Sequence, residues 1–591
     1  MESGAATVHA DATHSKRPIG RIVAGVALIL PALICGITEL LVPTVRTFWL
    51  SLQRTRFPAE GGEFVGLENY AHLFGNVGLG QLLGFTALSL VVRLMVVAFV
   101  PLLLAWAVSR FGRRVRLGLR ILLTLPVVLF VPIAIGAAWS LALHPFEGIF
   151  GLDAYPFLEA GKAGAVVLAV DAVYTFGLAC GLGLIFYLPI WRRPDDADPP
   201  ALKETLKSLL VTWGTGILAA VALTLSSFTL NFTLTAGGPA RSTMTPGLWI
   251  HTFAFASSRF GLAASVASII LLVTLPLGLV AGLLILLTRL RLAMVGSLPS
   301  PERGEEQRAM QQRRILPLIL LALSLLLVFG AWAVGLVPFG WLAPQAAGAP
   351  RFDQLLTPLS AGRVLLNTFL PPLITAVVQL LVAYLAALGI GALQPLGRRS
   401  EWLLLLFSPW LFVTILPLSI AGFLAGLNAG RLDTFFALIS PVLFSVPALF
   451  ILTLFFKGQA PSWRAASGDG ESSGAGAFFN HLILHSLPLV GVLLLFSLFA
   501  GWQKVYWPLV STFRPENRTL GFVLYGQQYM FPSGIDRTAA MITRFFLPTM
   551  FLFFLAFAAF QFFLDRLVLT TGDRERPAES SSPAEPAADR A

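Results

Sequence analysis

The stretch RLRLAMVGSLPSPERGEEQRAMQQRR (289–314) is the longest strongly polar run inside a chain that is otherwise mostly apolar. Long hydrophobic segments precede it and follow it. Both of its ends are basic, with Arg289 and Arg291 at the start and Arg313 and Arg314 at the close, and Lys and Arg accumulate on the cytoplasmic side of membrane proteins. The stretch is therefore either a long loop in an ordinary polytopic protein or a tether between two related membrane halves.

The overall composition is that of an integral membrane protein. Of the 591 residues, 56% are hydrophobic and only 12% are charged, whereas soluble domains carry about 25% charged residues. The net charge of +11 comes largely from basic residues in short loops between apolar spans, which concerns orientation and does not predict a nucleic-acid partner. Cys35 and Cys180 lie in apolar segments and indicate no disulfide framework. The polar N-terminus lacks an apolar core, so we expect no cleaved signal peptide.

Apolar stretches of about 20 residues are long enough to cross a bilayer, and in lipid they form helices. The pattern predicts an all-α polytopic membrane protein with about 12 transmembrane helices. The predicted spans are 22–48, 82–109, 119–143, 163–191, 208–234, 262–288, 315–341, 364–394, 402–425, 434–456, 481–505 and 541–568. Prolines in LPVVLFVPIAIG (125–136) predict a kink in the third span.

The basic residues predict the orientation of the chain. They crowd the even-numbered connections, which places those connections and both termini in the cytoplasm of a cell with a cytoplasmic (inner) membrane. Arg514, Arg518 and Arg537 in the eleventh connection run against this bias, but that loop is long and weighs less. Six spans on each side of the tether predict two parallel six-helix halves. The predicted regions are a polar N-terminus 1–19, a first half 20–288, the tether 289–314, a second half 315–570 and a disordered cytoplasmic tail 571–591.

Several segments resemble, in order, the permease subunits of type I ABC importers for sugars, of the maltose-uptake kind. In the first half they are PTVRTFWLSLQRTRF (43–57), FVGLENYAHLF (64–74), RVRLGLRILLTLPVVLFVPIAIGAAWSLALHPFEGIFG (114–151), TLTAGGPARSTMT (233–245) and FGLAASVASIILL (260–272). In the second half they are LLNTFLPPLITAVVQLLVAYLAALGIGAL (365–393) and FAGWQKVYWPLV (499–510), which look like the partner subunit. The resemblance spans roughly 20–570, and between these segments it is only hydropathy.

This resemblance implies two permease subunits fused in one chain, with the translocation pathway between the halves. It also implies two cytoplasmic ATPase subunits that use the ATP, an extracytoplasmic solute-binding protein, a sugar or related polyol as the small-molecule substrate, and surrounding membrane lipid. No GxxxxGK[ST], HExxH or CxxC pattern occurs. We therefore expect no enzyme activity, no catalytic residue, no metal and no cofactor bound by this chain itself.

The family couples to its ATPase through a cytoplasmic loop that reads EAA, three residues, Gly, and then a closing LP. The tenth connection keeps part of this spacing, although Arg464 stands where the family has glutamate and SSGAG (472–476) lengthens the loop. The alternative is a flexible Ser/Gly linker. The candidate coupling residues are Arg464, Ala465, Ala466, Asp469, Gly470, Leu487 and Pro488. The matching loop RRPDDADPPALKETLK (192–207) has no such motif, and Lys203, Glu204 and Lys207 are its candidates on a short helix.

Polar and aromatic groups in the spans are candidates for the substrate path, because aromatic rings stack on sugar faces. They are Asn231, Gln379, Tyr384, Trp502 and Tyr506. The alternative for Trp and Tyr is a place in the interfacial belt. Arg93 and Asp171, both inside spans, are expected to pair as a structural contact. Two other functions stay open: an ion-coupled secondary transporter with a parallel repeat, and a non-transporting scaffold derived from a permease.

Overall fold

The computed structural model describes residues 19–55, 62–144, 155–191, 202–294, 315–349, 351, 354, 356, 359–468, 474–530 and 535–571. Regular structure in these residues is almost entirely helical. Below, residues 19–294 are called the N-terminal part and residues 315–571 the C-terminal part.

The N-terminal part begins with one long apolar helix, Ile19–Ser51, which contains a π-helical turn at Gly36–Leu41. Its first segment is α1 (Ile19–Cys35) and its last is α2 (Val42–Ser51). The remaining elements are β1 (Gln53–Arg54), β2 (Glu63–Phe64), α3 (Glu68–His72), α4 (Leu79–Ser109), α5 (Arg113–Leu129), α6 (Pro132–Ala142), α7 (Ala160–Trp191), α8 (Leu202–Leu225), α9 (Thr229–Thr235), α10 (Pro246–His251), α11 (Phe260–Leu287) and β3 (Arg291–Met294).

The C-terminal part follows a similar order of long and short helices. Its elements are α12 (Ile315–Gln345), α13 (Ala361–Ala387) with a π-helical end Leu388–Leu393, two 3₁₀ segments Gly397–Leu406 and Ser408–Trp410, α14 (Ile415–Asn428), a 3₁₀ turn Phe435–Leu438, α15 (Val446–Gly468), α16 (Gly474–Phe478), α17 (His485–Trp502), α18 (Tyr506–Ser511), α19 (Leu520–Met530), α20 (Ile535–Met541), α21 (Leu547–Leu564) and β4 (Leu567–Thr570).

Helix length and hydropathy confirm a multi-pass, all-α membrane protein. Within the described residues nine helices are long and apolar enough to cross a bilayer, and a tenth span results if α5 and α6 count as one. These ten overlap ten of the twelve spans expected from the sequence. A count of twelve, arranged as two six-helix halves, stays a prediction.

The kink expected in the third span is confirmed. α5 and α6 meet at an angle of 70°. Val131 has an extended backbone, with φ −88° and ψ 109°, because the ring of the following proline disfavours a helical conformation in the residue before it. Pro132 itself begins α6, where its missing N–H has no helical partner to lose.

The ninth and tenth expected spans differ most from the sequence interpretation. In place of one helix over 402–425, two 3₁₀ segments precede the 14-residue helix α14, whose first turn is capped by the Thr414 hydroxyl accepting from the N–H of Leu416 at 3.4 Å. In place of 434–456, the helix α15 begins only at Val446 and continues to Gly468. Pro409 and Pro441 stand in the interrupted segments, and neither can donate a helical hydrogen bond.

The N-terminal and C-terminal parts exchange their first helices. α1 packs against α13 and its π-helical end, which belong to the C-terminal part. α12, the first helix of the C-terminal part, packs in turn against α4 and α7. Each part therefore completes its packing with a helix from the other.

The two short strands β3 and β4 form an antiparallel pair. Each directly follows a long helix, since β3 comes after α11 and β4 comes after α21. The register pairs Arg291 with Thr570 and Met294 with Leu567. β3 also packs against α15 and β4 against α7, so this pair links the ends of the two parts on one side of the helices.

Candidate functional site

Two helix breaks lie at corresponding points of the two parts. α8 ends at Leu225 and α9 starts at Thr229, while α17 ends at Trp502 and α18 starts at Tyr506. Each break is three residues long, and each is followed by a helix of fewer than eight residues. In the first break, Phe228 has φ −141° and ψ −63°, outside the helical region, so the chain changes direction there.

Aromatic rings from both parts meet beside these breaks. The Phe228 ring centroid lies 4.8 Å from that of Tyr506 in an edge-on arrangement, and Phe232 stacks on Tyr525 at 4.5 Å. The ring of His251 lies 5.7 Å from Phe228 and 5.3 Å from Phe232. These five side chains are called the aromatic seam. Such edge-on and stacked pairs are favoured by the charge distribution of the rings.

The aromatic seam carries polar groups at its edges but no charged group of its own. The hydroxyl groups of Tyr506 and Ser419 are 2.8 Å apart and hydrogen-bonded. Burial lowers the pKa of His251 to about 4, so its imidazole is neutral at neutral pH. A neutral imidazole both donates and accepts a hydrogen bond. Phe228, Phe232 and Tyr506 are each 5% exposed, so a molecule reaches these rings, the Tyr506 hydroxyl and the imidazole only when the N-terminal and C-terminal parts separate.

The segment after α9 folds back and holds that helix in place. The Thr235 and Thr243 hydroxyls are 2.6 Å apart, and Thr243 Oγ1 donates to the carbonyl of Gly238 at 3.0 Å. Gly237 has φ +90°, and an added Cβ there would collide with Met244. Only glycine fits that position, because the conformation is left-handed and the space is taken. Phe232 is thus presented from a firmly bonded turn.

The structure brings Tyr506, of the five substrate-path candidates, into the aromatic seam. Asn231 is buried and donates to the carbonyl of Thr243 at 3.3 Å, behind the seam. Gln379 donates to the carbonyl of Val442 at 2.8 Å, and Tyr384 bonds the Ser486 hydroxyl at 2.9 Å. Trp502 is buried and its ring lies near those of Phe369, Phe546 and Phe553.

Four members of the aromatic seam were not singled out from the sequence. Phe228 and Phe232 carry a usable signal, because residues four apart on a helix share a face. His251 and Tyr525 carry none that we can identify. They meet the phenylalanines only through the tertiary packing, His251 from α10 and Tyr525 from α19.

The candidate coupling residues of the tenth connection lie partly outside the described residues. α15 continues without interruption through Arg464, whose Nη2 donates to Gln394 Oε1 at 2.8 Å. Leu487 is exposed and Pro488 stands in the first turn of α17. The side chains of Ala465 and Ala466, and all of Asp469 and Gly470, are outside the described residues.

The candidates of the matching loop sit on the first turn and a half of α8. Lys203 and Lys207 are exposed, and Glu204 is half-buried. The carbonyl of Glu204 accepts a hydrogen bond from the Thr571 hydroxyl at 3.4 Å. The start of α8 therefore lies beside the end of β4, on the side of the helices where β3 and β4 pair.

The two parts also meet at what is called the polar contact, between α5 and α21. Arg116 binds both carboxylate oxygens of Asp565, with Nε–Oδ1 at 2.9 Å and Nη2–Oδ2 at 3.3 Å. One turn along α5, Arg120 Nε donates to Gln561 Oε1 at 3.2 Å. Arg120, Gln561 and Asp565 are each no more than 4% exposed.

A second meeting of the parts is called the close contact. It joins α11 to the 3₁₀ segment Ser408–Trp410. A Cβ added to Gly278 would lie 2.6 Å from the carbonyl oxygen of Pro409, and one added to Gly282 would lie 2.5 Å from the Ser408 Cβ. Real Cβ atoms do not come so close to a neighbour, so the glycines permit this backbone approach.

The pair expected between Arg93 and Asp171 is confirmed. Arg93 Nε and Nη2 bind the two oxygens of Asp171 at 2.9 and 2.6 Å, and Nη1 donates to Thr224 Oγ1 at 3.4 Å. The contact joins α4, α7 and α8 within the N-terminal part. Such two-pronged pairing satisfies a charge that is otherwise unfavourable inside a membrane helix.

In comparison with known proteins, no protein-family model matches the chain, and no curated protein matches it either.

Proposed function

We propose that this chain is the permease component of an ATP-driven importer for sugars or related polyols, with its translocation pathway between the N-terminal and C-terminal parts. The observation that carries the proposal is reciprocal packing. α1 packs on α13 while α12 packs on α4, and α5 packs on α21 while the 408–410 segment packs on α11. Each contact has a counterpart with the roles of the two parts exchanged.

Reciprocal packing supports a pathway along the line where the parts face each other. α6 packs on α19 and α14 packs on α10, a further exchanged pair, and the aromatic seam lies among these elements. A solute that crosses between the parts has to pass groups contributed by both. Ring faces beside a hydroxyl and a neutral imidazole suit the alternating apolar and polar faces of a sugar.

Transport requires that the parts alternate between two arrangements. The polar contact is suited to separating, because its arginines and carboxylate are well hydrated once water enters. The close contact is suited to act as a hinge, because its two backbones are packed without intervening side chains. ATPase subunits on the predicted cytoplasmic side would act on the ends of α8 and α15, where the candidate coupling residues lie.

Affinity purification in a mild detergent tests the ATPase first. We expect an ATPase to co-purify, and we expect the complex in proteoliposomes to take up a labelled sugar or polyol only with ATP and a solute-binding protein. Uptake driven by a proton or sodium gradient without an ATPase would instead establish a secondary transporter. If neither uptake nor ATPase binding is observed, the non-transporting scaffold is the function that remains.

A seam variant connects transport to the pathway. Phe232→Ala removes the ring that stacks on Tyr525 and should lower uptake several-fold while the protein still folds. Phe557→Ala is the matched control, because Phe557 is as buried as Phe232, at 6% exposed, and its ring contacts Phe499 outside the seam. Equal uptake by the two variants would move the pathway away from the aromatic seam.

A further inference from the structure

The two helix breaks differ in charge. The first consists of Ser226, Ser227 and Phe228, and the second of Gln503, Lys504 and Val505. The Gln503 side chain is hydrogen-bonded to the preceding helix α17, since its Nε2 donates to the carbonyl of Phe499 at 3.0 Å. Lys504 therefore adds one cation to one side of an otherwise uncharged pair of breaks.

Lys504 is exposed although its neighbours in the chain are not. Trp502 is 3% exposed, Val505 0% and Tyr506 5%. Among the residues that the structure describes, no acidic side chain forms an ion pair with the Lys504 ammonium. The helix that is long and apolar enough to span a membrane ends at Trp502, two residues before Lys504. Since a side chain is exposed only where solvent can contact it, an exposed cation among buried neighbours indicates a space beside the break that water reaches.

That space is within reach of the aromatic seam. Lys504 precedes the seam residue Tyr506 by two positions, so their Cα atoms are no more than about 7.6 Å apart. A lysine ammonium sits on a flexible four-carbon stem and can approach a molecule that contacts the Tyr506 ring. Phe228 of the N-terminal part contacts Tyr506 and therefore lies near the same space.

We propose that Lys504 is a binding residue for an anionic group on the transported solute, which makes the solute a phosphorylated or carboxylated sugar or polyol. The inference rests on the proposed function and narrows its substrate class. The sugar or polyol body lies against the rings of the aromatic seam, and its anionic group accepts hydrogen bonds from the Lys504 ammonium. Charge-assisted bonds of this kind are about twice as strong as those between neutral groups.

Equilibrium binding to the purified full chain in nanodiscs of zwitterionic lipid tests the assignment. The probes are glucose 6-phosphate, glucose and inorganic phosphate. We expect glucose 6-phosphate to bind most tightly, Lys504→Gln to weaken it about tenfold or more, and Lys504→Arg to restore most of the affinity. The control is Lys162→Gln, because Lys162 is exposed and already paired with Glu159 at 2.8 Å.

The other outcomes each overturn the inference. Equal binding of glucose and glucose 6-phosphate, or equal loss in the Lys162 control, would show that Lys504 selects no anion. A lower melting temperature for Lys504→Gln with unchanged binding would assign Lys504 to the end of α17, where a helix C-terminus favours a cation. Loss of probe binding only when anionic lipid is added to the nanodiscs would assign it to lipid phosphate.

Failure here is distinguishable from failure of the proposed function. A chain that takes up neutral sugars with ATP, and does so equally well as Lys504→Gln, keeps the permease and loses only the anionic substrate. A chain that binds no ATPase and moves no solute loses the permease itself.

Discussion

The polar contact and the close contact join the same two parts of the chain by opposite means. At the polar contact, Arg116 and Arg120 reach from α5 to Asp565 and Gln561 on α21. At the close contact, Gly278 lets α11 lie directly on the backbone of Ser408 and Pro409, and Gly282 leaves room for the Ser408 side chain. One contact uses long charged side chains, and the other depends on having no side chain.

This difference has a physical consequence for motion. A desolvated ion pair gains little net stability, because the attraction is largely offset by lost hydration, so separating it into water is inexpensive. Close packing of backbone is non-polar and short-ranged, and it is lost within a fraction of an ångström. Both contacts are linked at their ends, because β3 follows α11 and β4 follows α21. The comparison predicts that motion between the parts opens the polar contact and leaves the close contact intact.

The largest effect is expected from breaking the polar contact on one side only. Asp565→Ala leaves Arg116, whose side chain is 17% exposed, without its carboxylate. Removing one partner of a fully buried pair typically costs about 3–5 kcal/mol, and the partial exposure of Arg116 places the expected cost at the lower end of this range. We expect a clear fall in the melting temperature of the detergent-solubilised protein. Asp536→Ala serves as control, since Asp536 is exposed at the start of α20 and makes no ion pair with any residue that the structure describes. The double variant Arg116→Asp with Asp565→Arg exchanges the two charges. If it recovers the melting temperature, the loss in Asp565→Ala comes from the ion pair. If it does not, the loss comes from the packing of the side chains.

A smaller loss is expected from adding one methyl group at the close contact. The Cβ of Gly278→Ala would lie 2.6 Å from the carbonyl oxygen of Pro409, and overpacking of this kind costs about 1–3 kcal/mol. Alanine otherwise favours a helix over glycine by up to about 1 kcal/mol. Gly330→Ala on α12, with no atom within 4 Å of the new Cβ, should therefore be neutral or stabilising in the same thermal assay. If Gly278→Ala and Gly330→Ala change the melting temperature equally, close backbone approach at Gly278 does not stabilise the protein.

A substitution at Gly282 tests the same contact with a smaller expected loss of stability, which a second substitution should partly reverse. Its added Cβ would meet a side-chain atom, the Ser408 Cβ at 2.5 Å, and not the backbone. Gly282→Ala should destabilise less than Gly278→Ala, and Ser408→Gly in the same chain should recover part of the loss. Additive losses in the double variant would mean that the two residues do not touch.

The smallest effect is expected from the hydrogen bonds around Asp433, which stay within the C-terminal part. Burial by itself raises the pKa of Asp433, but bonds from the backbone N–H groups of Arg514 and Phe513, the Asn517 amide and the Arg514 charge outweigh it and lower the pKa. A lowered folded-state pKa means that this stabilisation is present above the usual aspartate range and is lost as the pH falls through the folded value. Thermal unfolding between pH 5 and about pH 3, compared with Asp433→Asn, measures it. The difference between the two proteins should shrink in acid, and a growing difference would reverse the sign.

Much of the helical layout follows from the sequence alone, for a reason that is local. Lipid cannot satisfy backbone hydrogen bonds, so an apolar run that lies in lipid becomes a helix, and ten of the twelve expected spans overlap such helices in the described residues. The bend between α5 and α6 was likewise readable from the proline at 132, and the Arg93–Asp171 pair from the fact that charges inside spans seek partners. These conclusions require no knowledge of which helix lies beside which.

The site depended on the tertiary structure. Phe228 and Tyr506 are separated by almost half of the chain, and hydropathy assigns both simply to span ends. Their contact exists because α8 and α17 both break before the helix is complete and because the parts face each other there. The polar contact between Arg116 and Asp565 has the same origin. Hydrophobicity alone decides that a segment is in the membrane, but lipid is as apolar as the helix faces, so only packing and polar partners decide which helices meet.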